Sequence, residues 1–299
     1  MLRVVGGEGE EDGEVEEAMM SFEPDVVLSI KHPQLSNQHH ATALGLPSVS
    51  FFQVGGSGYD HLPGWDPEVV TVCNGAGVLA PFLAESVMGG ILALNTNFLH
   101  YAEAQKKHEW APRQFVPLAG QVLLVVGMGA IGKQVAERAR AMGMEVWGTR
   151  RSVVGEVEVD GVRVFSAGSL MDLLPQADVV SIHVPLTPES EGMWGRECFD
   201  AMKESALFVN TSRGKVIDQE ALVDVLSEGG IRGAYVDVCD PEPLGVGDGL
   251  WDAPGLFLSP HCSDNVVGWE ERFAELFVQQ VGAWRSGEGG LVNVVYPNV

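Results

Sequence analysis

One stretch constrains the fold more than any other. Gly127-Met128-Gly129-Ala130-Ile131-Gly132 follows directly on the apolar run Gln121-Val122-Leu123-Leu124-Val125-Val126. Behind it, Ile131, Val135, Ala139 and Met142 recur at helical spacing. A buried strand that turns sharply into a helix is therefore expected. Gly127 permits the tight turn, Gly129 lets the backbone approach a pyrophosphate, and Gly132 lets the helix pack on the strand. The helix start at Ala130 and Ile131 offers free N–H groups and positive potential to phosphates. A lone Gly-x-Gly-x-x-Gly is a weak signal in a chain with 37 glycines. The flanking strand and helix make this one specific.

The surrounding chain alternates short apolar runs with amphipathic segments. Runs at 122–126, 145–147, 178–184, 206–210, 234–238 and 256–259 are mainly apolar. Such strands are buried on both faces, as in a parallel sheet. Strand–helix alternation then predicts an α/β, doubly wound parallel sheet. Asp218 is expected to cap a helix whose apolar face is Leu222, Val225 and Leu226 and whose end is Gly229-Gly230. Upstream, strands are expected at 24–30, 48–52 and 69–73, then one helix over 81–105 and a loop over 106–117. A final helix is expected over 267–285. A chain of 299 residues has a prior of about two domains.

Composition excludes several partner classes. The sequence holds 41 acidic and 18 basic residues, a formal charge of −23. A field of this sign repels nucleic acid and anionic lipid. An anionic ligand must be drawn in by a local positive site. Seven acids among residues 8–17 read as a solvated face. Cys73, Cys198, Cys239 and Cys262 contain no Cys-x-x-Cys pair, so neither a disulfide framework nor a metal site is expected. A reducing, cytoplasmic setting fits. Met1-Leu2-Arg3-Val4-Val5 does not read as a signal peptide. The apolar stretch 86–99 contains Gly89, Gly90, Asn95 and Asn97 and is read as a packed helix, not a membrane span.

The strand after the glycine turn bears on the cofactor. It ends Trp147-Gly148-Thr149-Arg150-Arg151. An NAD site usually places Asp or Glu there for the ribose 2′-OH, whereas arginine accommodates a 2′-phosphate. Guanidinium groups bind phosphate bidentately. NADP(H) is therefore expected over NAD(H), with Thr149, Arg150 and Arg151 among its contacts. The duller reading makes the two arginines a solvated turn.

Ligands of such sheets bind beyond the carboxyl ends of the strands. Three reactive side chains follow three strands: Arg213 in Thr211-Ser212-Arg213-Gly214, Glu242 in Cys239-Asp240-Pro241-Glu242-Pro243, and His261 after Pro260. Taken singly, each has a commoner structural explanation, as a surface ion pair, a turn residue or a core histidine. Their joint placement favours chemistry. Reducing a 2-keto acid needs a cation for the carboxylate and carbonyl, plus a proton donor for the alkoxide. The planar fork of Arg213 suits the first. A histidine, titrating near neutrality, suits the second. Glu242 is placed to stabilise protonated His261.

The chain resembles the D-isomer-specific 2-hydroxyacid dehydrogenases over essentially its whole length. The matching features are the glycine motif, His183-Val184-Pro185-Leu186-Thr187-Pro188, Asn210-Thr211-Ser212-Arg213-Gly214, Val236-Asp237-Val238 with Glu242-Pro243, Ser259-Pro260-His261 and, upstream, Gly56-Ser57-Gly58-Tyr59-Asp60. The resemblance implies Arg213 as the substrate arginine, His261 as the acid/base and Glu242 as its partner. It implies that amides near Gly56, Ser57 and Gly58 hold the substrate carboxylate, and that Asp237 contacts the nicotinamide. His183, Val184, Pro185, Thr211 and Ser212 would line the cofactor cleft, with Arg213 and His261 beside them. It further implies a Rossmann coenzyme domain, 81–268, and a smaller flavodoxin-like substrate domain made of 1–80 and 269–299. A homodimer joined through the coenzyme domains would follow.

The arginine pair is similar to the glyoxylate/hydroxypyruvate reductase branch. The family's usual small residues after the histidine are replaced by Cys262-Ser263-Asp264-Asn265, where Asp264 disfavours dicarboxylates. His100 and Trp110 are secondary candidates for the pocket. Related folds also serve as nucleotide-sensing corepressors with the same Arg, Glu and His, but those carry long tails, whereas this chain stops at Asn298-Val299. Alanine dehydrogenases and homocysteine-releasing hydrolases share the coenzyme domain but not the Arg–Glu–His order.

Overall fold

A computed structural model describes residues 12–30 and 37–297. The readings of Met1 to Val5, of the acidic positions 8–11 and of Asn298-Val299 fall outside the described residues. The chain divides into two compact units, Met1–Leu79 with Val267–Val299, and Ala80–Val266. The first contains α1 (Asp12–Phe22), β1 (Val26–Ser29), α2 (Asn37–Leu44), β2 (Phe51–Val54) and β3 (Thr71–Cys73). The second opens with α3 (Ala80–Asn95), α4 (Phe98–Lys106), β4 (Val122–Val126), α5 (Ala130–Ala141), β5 (Glu145–Arg150), β6 (Glu156–Val159) and β7 (Val162–Ser166). It continues with α6 (Leu170–Leu173), β8 (Val179–Ile182), α7 (Arg196–Asp200), β9 (Leu207–Asn210), α8 (Gln219–Glu228), β10 (Gly233–Val236) and β11 (Leu256–Leu258). The chain returns to the first unit with α9 (Trp269–Ser286) and β12 (Val294–Val295).

In the first unit the sheet order is β1-β2-β3-β12, with β12 antiparallel to β3 and the others parallel. Its core joins Ala43, Leu44, Val49, Phe52, Val54, Val70 and Val72. On α9, Trp284 lies 5.5 Å from Phe51, and Arg285 reaches Asp25 at 3.3 Å.

The second unit is an eight-stranded sheet, β11-β10-β9-β8-β4-β5-β7-β6, parallel except for β6. Successive residues point to opposite faces, which gives two cores. Leu123 and Val125 of β4 pack with Ala84, Val87 and Ile91 of α3 and with Val135 and Ala139 of α5. Leu124 and Val126 face the other way, toward Leu173, Phe199, Leu222 and Val225. This is the doubly wound α/β fold expected from the apolar runs. Strand order reverses at β4, where β5 lies on one side and β8 on the other, so a crevice opens at the carboxyl ends there. Asp218 caps α8 by accepting from Ala221 N at 3.0 Å, and Gly229 ends it with φ 73°.

Two departures have local causes. The single helix expected over 81–105 breaks into α3 and α4, bent by 62°. Asn97 adopts φ 62°, and the buried Asn95 side chain leaves the helix to bond Val116 O at 2.9 Å and Arg232 Nη2 at 2.8 Å. The structure adds the β6–β7 hairpin, for which Asp160-Gly161 between alternating valines is the local signal. No single helix among the described residues is long and apolar enough to cross a membrane.

Trp194 is fully buried against Phe199 and Phe208, yet its indole Nε1 has no partner among the described residues. An unpaired buried donor is costly. Phe208→Ala is expected to cost about 3–5 kcal/mol in urea denaturation, and Trp194→Phe less than about 1.5 kcal/mol. Equal losses would contradict this account of the cluster.

Candidate active site

The glycine turn leads from β4 into α5. Gly127 has φ 103°, and a Cβ there would lie 2.6 Å from His183 O. A Cβ on Gly132 would lie 2.3 Å from Gly127 O. Both approaches need glycine. Gly129 differs, since nothing lies within 4 Å of its Cβ position, which leaves open space before the helix. Among the described residues, the amides of Ala130, Ile131 and Gly132 have no hydrogen-bond acceptor, as at any uncapped helix start. The first turn of α5 carries no acid. This cradle fits a pyrophosphate. Thr149 is buried and pins the turn through its carbonyl, which accepts from Gly127 N at 3.2 Å and Met128 N at 3.0 Å. Beyond it, Arg150 and Arg151 are exposed, and Arg151 reaches Glu189 at 3.9 Å.

The segment after β8 supplies His183. Its Nε2 bonds Ser181 Oγ at 2.8 Å, and burial pushes its pKa down to about 3. A neutral imidazole follows, so His183 is no proton donor near neutral pH. Val184 is partly buried and Pro185 exposed beside it.

The turn after β9 presents Arg213. Asn210, fully buried, organises it. Its Oδ1 accepts from Ser212 N at 3.0 Å and Ser212 Oγ at 2.7 Å, while its Nδ2 donates to Arg213 O at 3.1 Å. Thr211 is buried. Arg213 Nη1 donates to Ser212 O at 2.8 Å. A Cβ on Gly214 would lie 2.1 Å from Cys239 C, so this turn sits directly on the turn that follows β10.

That second turn carries Glu242. Its Oε1 accepts from Cys239 N at 3.1 Å, and its Oε2 lies 2.7 Å from His261 Nδ1. Both side chains are about one-third exposed, which leaves them within reach of a ligand. Asp237, 3% exposed, turns out to hold the loop that bears His261. Its carboxylate accepts from Ser259 Oγ, from Cys262 N at 3.0 Å and from Ser263 N at 3.1 Å. Its carbonyl accepts from His261 N at 2.7 Å. The nicotinamide contact expected of Asp237 is a role its carboxylate would share with this loop.

In the first unit, the turn 56–58 follows β2. Gly56 O accepts from Gly75 N at 2.7 Å, and Ser57 O from Asn74 Nδ2 at 2.7 Å. Among the described residues the amides of Gly56, Ser57 and Gly58 have no acceptor, which suits an anion.

Sequence reasoning places Asn210, Gly214, Ser259 and Ser263 within motifs but gives none of them a role. Only Asn210 had a local signal, since Asn bonding its own backbone two residues on is a common turn device. The secondary candidates separate. His100 Nε2 is bonded to Ala111 O at 3.0 Å, whereas Trp110 is 97% exposed. A different cavity of about 750 Å³ is lined by Glu191, Asp218, Glu220, Asp224, Asp240 and Asp248 with Lys215. Its charge makes it unfit for an anionic keto acid.

Residues 88–263 match the sequence profile described as D-isomer specific 2-hydroxyacid dehydrogenase, NAD binding domain. The chain is 33% identical over 263 residues to glycerate dehydrogenase of Methylorubrum extorquens, covering 81% of this chain and 78% of that protein. It is 36% identical over 227 residues to glyoxylate reductase of Korarchaeum cryptofilum, covering 73% and 67%. In structure it is similar to the NADPH-dependent glyoxylate/hydroxypyruvate reductase of Sinorhizobium meliloti, solved with NADP and sulfate. That match has a TM-score of 0.77 at 27% identity and covers 90% of this chain and 84% of that one. With its glycine cradle and its Arg, Glu and His beyond the strand ends, this chain belongs to the D-isomer specific 2-hydroxyacid dehydrogenase family and is an oxidoreductase.

Proposed function

We propose that the protein reduces short 2-keto acids, of the glyoxylate or hydroxypyruvate type, to D-2-hydroxy acids with NADPH. The observation that carries this reading is the Glu242–His261 bond at 2.7 Å. With Nδ1 held by a carboxylate, Nε2 is the ring nitrogen left to deliver a proton to the developing alkoxide. The Glu242 carboxylate fixes the orientation of the ring through this bond. Arg213 binds the substrate carboxylate and carbonyl oxygen. The hydride for the carbonyl carbon is the chemistry that a bound nicotinamide supplies. Gly127, Gly129 and the start of α5 would hold its pyrophosphate, with His183 to Pro185, Thr211 and Ser212 along the same strand ends.

The choice of NADPH rests on Arg150 and Arg151 and on the absence of an acid at the end of β5. The ion pair between Arg151 and Glu189 is about 70% exposed at both ends, too weak to withdraw that guanidinium from a phosphate. The S. meliloti reductase, described as NADPH-dependent, agrees with this choice.

Steady-state kinetics test the roles. His261→Ala is expected to lower kcat by roughly 10²–10⁴-fold with little change in KM. Arg213→Ala should raise KM as well as lower kcat. Near-normal turnover in His261→Ala would remove His261 from the proton-transfer role. For the cofactor, kcat/KM should favour NADPH, and the double variant Arg150→Ala, Arg151→Ala should narrow the preference. A preference for NADH of about tenfold in the unaltered protein would overturn the assignment, since an acid-type ribose site would then be implied.

A further inference from the structure

Tyr235 is the third residue of β10, two positions before Asp237, and is 3% exposed. Its ring stacks on Phe257 of β11 at 5.2 Å and lies against Gly90 of α3. A Cβ on Gly90 of α3 would come within 2.1 Å of the ring, so only glycine leaves room for the tyrosine there. The ring is fixed on both sides, and its hydroxyl is therefore aimed.

That hydroxyl meets three serines. It lies 2.9 Å from Ser86 Oγ of α3, 3.1 Å from Ser259 Oγ and 3.2 Å from Ser263 Oγ. Ser86 Oγ also lies 3.2 Å from Ser263 Oγ, and its one proton is shared between that contact and the shorter one to Tyr235. Ser259 spends its one proton on the Asp237 carboxylate. The contact between Tyr235 and Ser259 must then be made by the tyrosine proton. A chain of hydroxyls thus runs from β10 through Ser259 to a buried carboxylate, which strengthens each link.

Ser259 and Ser263 bracket His261. The histidine itself stands at φ 47°, a left-handed conformation that a residue with a Cβ keeps only where its surroundings over-determine it. The surroundings that do so are Asp237, through two amides and a hydroxyl, and Tyr235, through the two serines.

We propose that Tyr235 is a positioning residue for proton transfer, its hydroxyl anchoring the loop 259–263 to α3 so that the His261 imidazole is held on Glu242. The proposal rests on His261 being the proton donor. It concerns a side chain that meets the loop at Ser259 and Ser263 and acts through them.

A double-mutant cycle tests it, with kcat measured at saturating NADPH and hydroxypyruvate. Tyr235→Phe keeps the ring and its fit to Gly90 while removing the hydroxyl. It is expected to lower kcat by roughly 10- to 100-fold, the cost of a small misplacement of a catalytic group, with KM for NADPH unchanged. Ser263→Ala should lower kcat in the same direction by a smaller factor. In a His261→Ala background, Tyr235→Phe should change the residual turnover by less than about twofold, because its effect passes through the imidazole. Wild-type kcat in Tyr235→Phe beside an inactive His261→Ala would overturn this inference alone, as would an equal loss in both backgrounds. Normal turnover in His261→Ala would overturn the reading of His261 and this inference with it.

Discussion

Thr149, Val126, Ile182, Asn210, Val236 and Leu258 stand opposite one another in a single row across the eight-stranded sheet. Parallel hydrogen bonding fixes that register, and burial of both faces prevents any strand from slipping by one residue. The chemistry of the coenzyme unit hangs from this row. One residue beyond it come Gly127, His183, Thr211 and Asp237. Two or three beyond it come Arg151, Gly129, Arg213 and His261. A slip in one strand would move its functional residue by about 3.3 Å and turn it to the other face.

The turns beyond the row are then set by polar groups that have lost water. Asn210 and Asp237 are each at most 3% exposed, so every lone pair and amide hydrogen they carry seeks a partner in the chain. Asn210 spends its amide on the Ser212–Arg213 turn, and Asp237 spends its carboxylate on the His261 loop. Burying a carboxylate without partners is prohibitive, which is why the loop closes onto Asp237 rather than standing open. Electrostatics divide the rest. The chain as a whole is strongly acidic at −23, yet Arg150, Arg151, Arg213 and the start of α5 gather at the carboxyl ends of the strands. An anion is therefore guided by local geometry and not by the overall field.

Much of this was legible in the sequence, for physical reasons. Strands buried on both faces read as apolar runs, and a glycine turn needs glycine, so 122–132 could be placed directly. Arg213, Glu242 and His261 stood out because each follows such a run. The α8 cap at Asp218 was equally local. What could not be read depends on groups far apart in the chain. Ser86 and Tyr235 are separated by 149 positions, and Asp237 and Ser263 by 26. Nothing in either segment alone indicates the other. Asp237 was assigned from resemblance to the nicotinamide, whereas its visible bonds go to the histidine loop. The α3–α4 break depends on Asn95 finding Val116 and Arg232, again a tertiary choice. The β6–β7 hairpin is a different case, since its Asp160-Gly161 turn was a local signal that alternation of apolar strands and helices overshadowed.

The account stands on one claim: that the row of strand ends assembles a proton donor and an anion clamp around the carbonyl of a 2-keto acid. The most direct measurement follows the label in the product. With hydroxypyruvate and NADPH carrying deuterium at both positions of nicotinamide C4, the glycerate formed should hold one deuterium at C2 and be the D-isomer. Glycerate without deuterium, glycerate of the L-configuration, or dinucleotide binding with no reduction of any short 2-keto acid would contradict it.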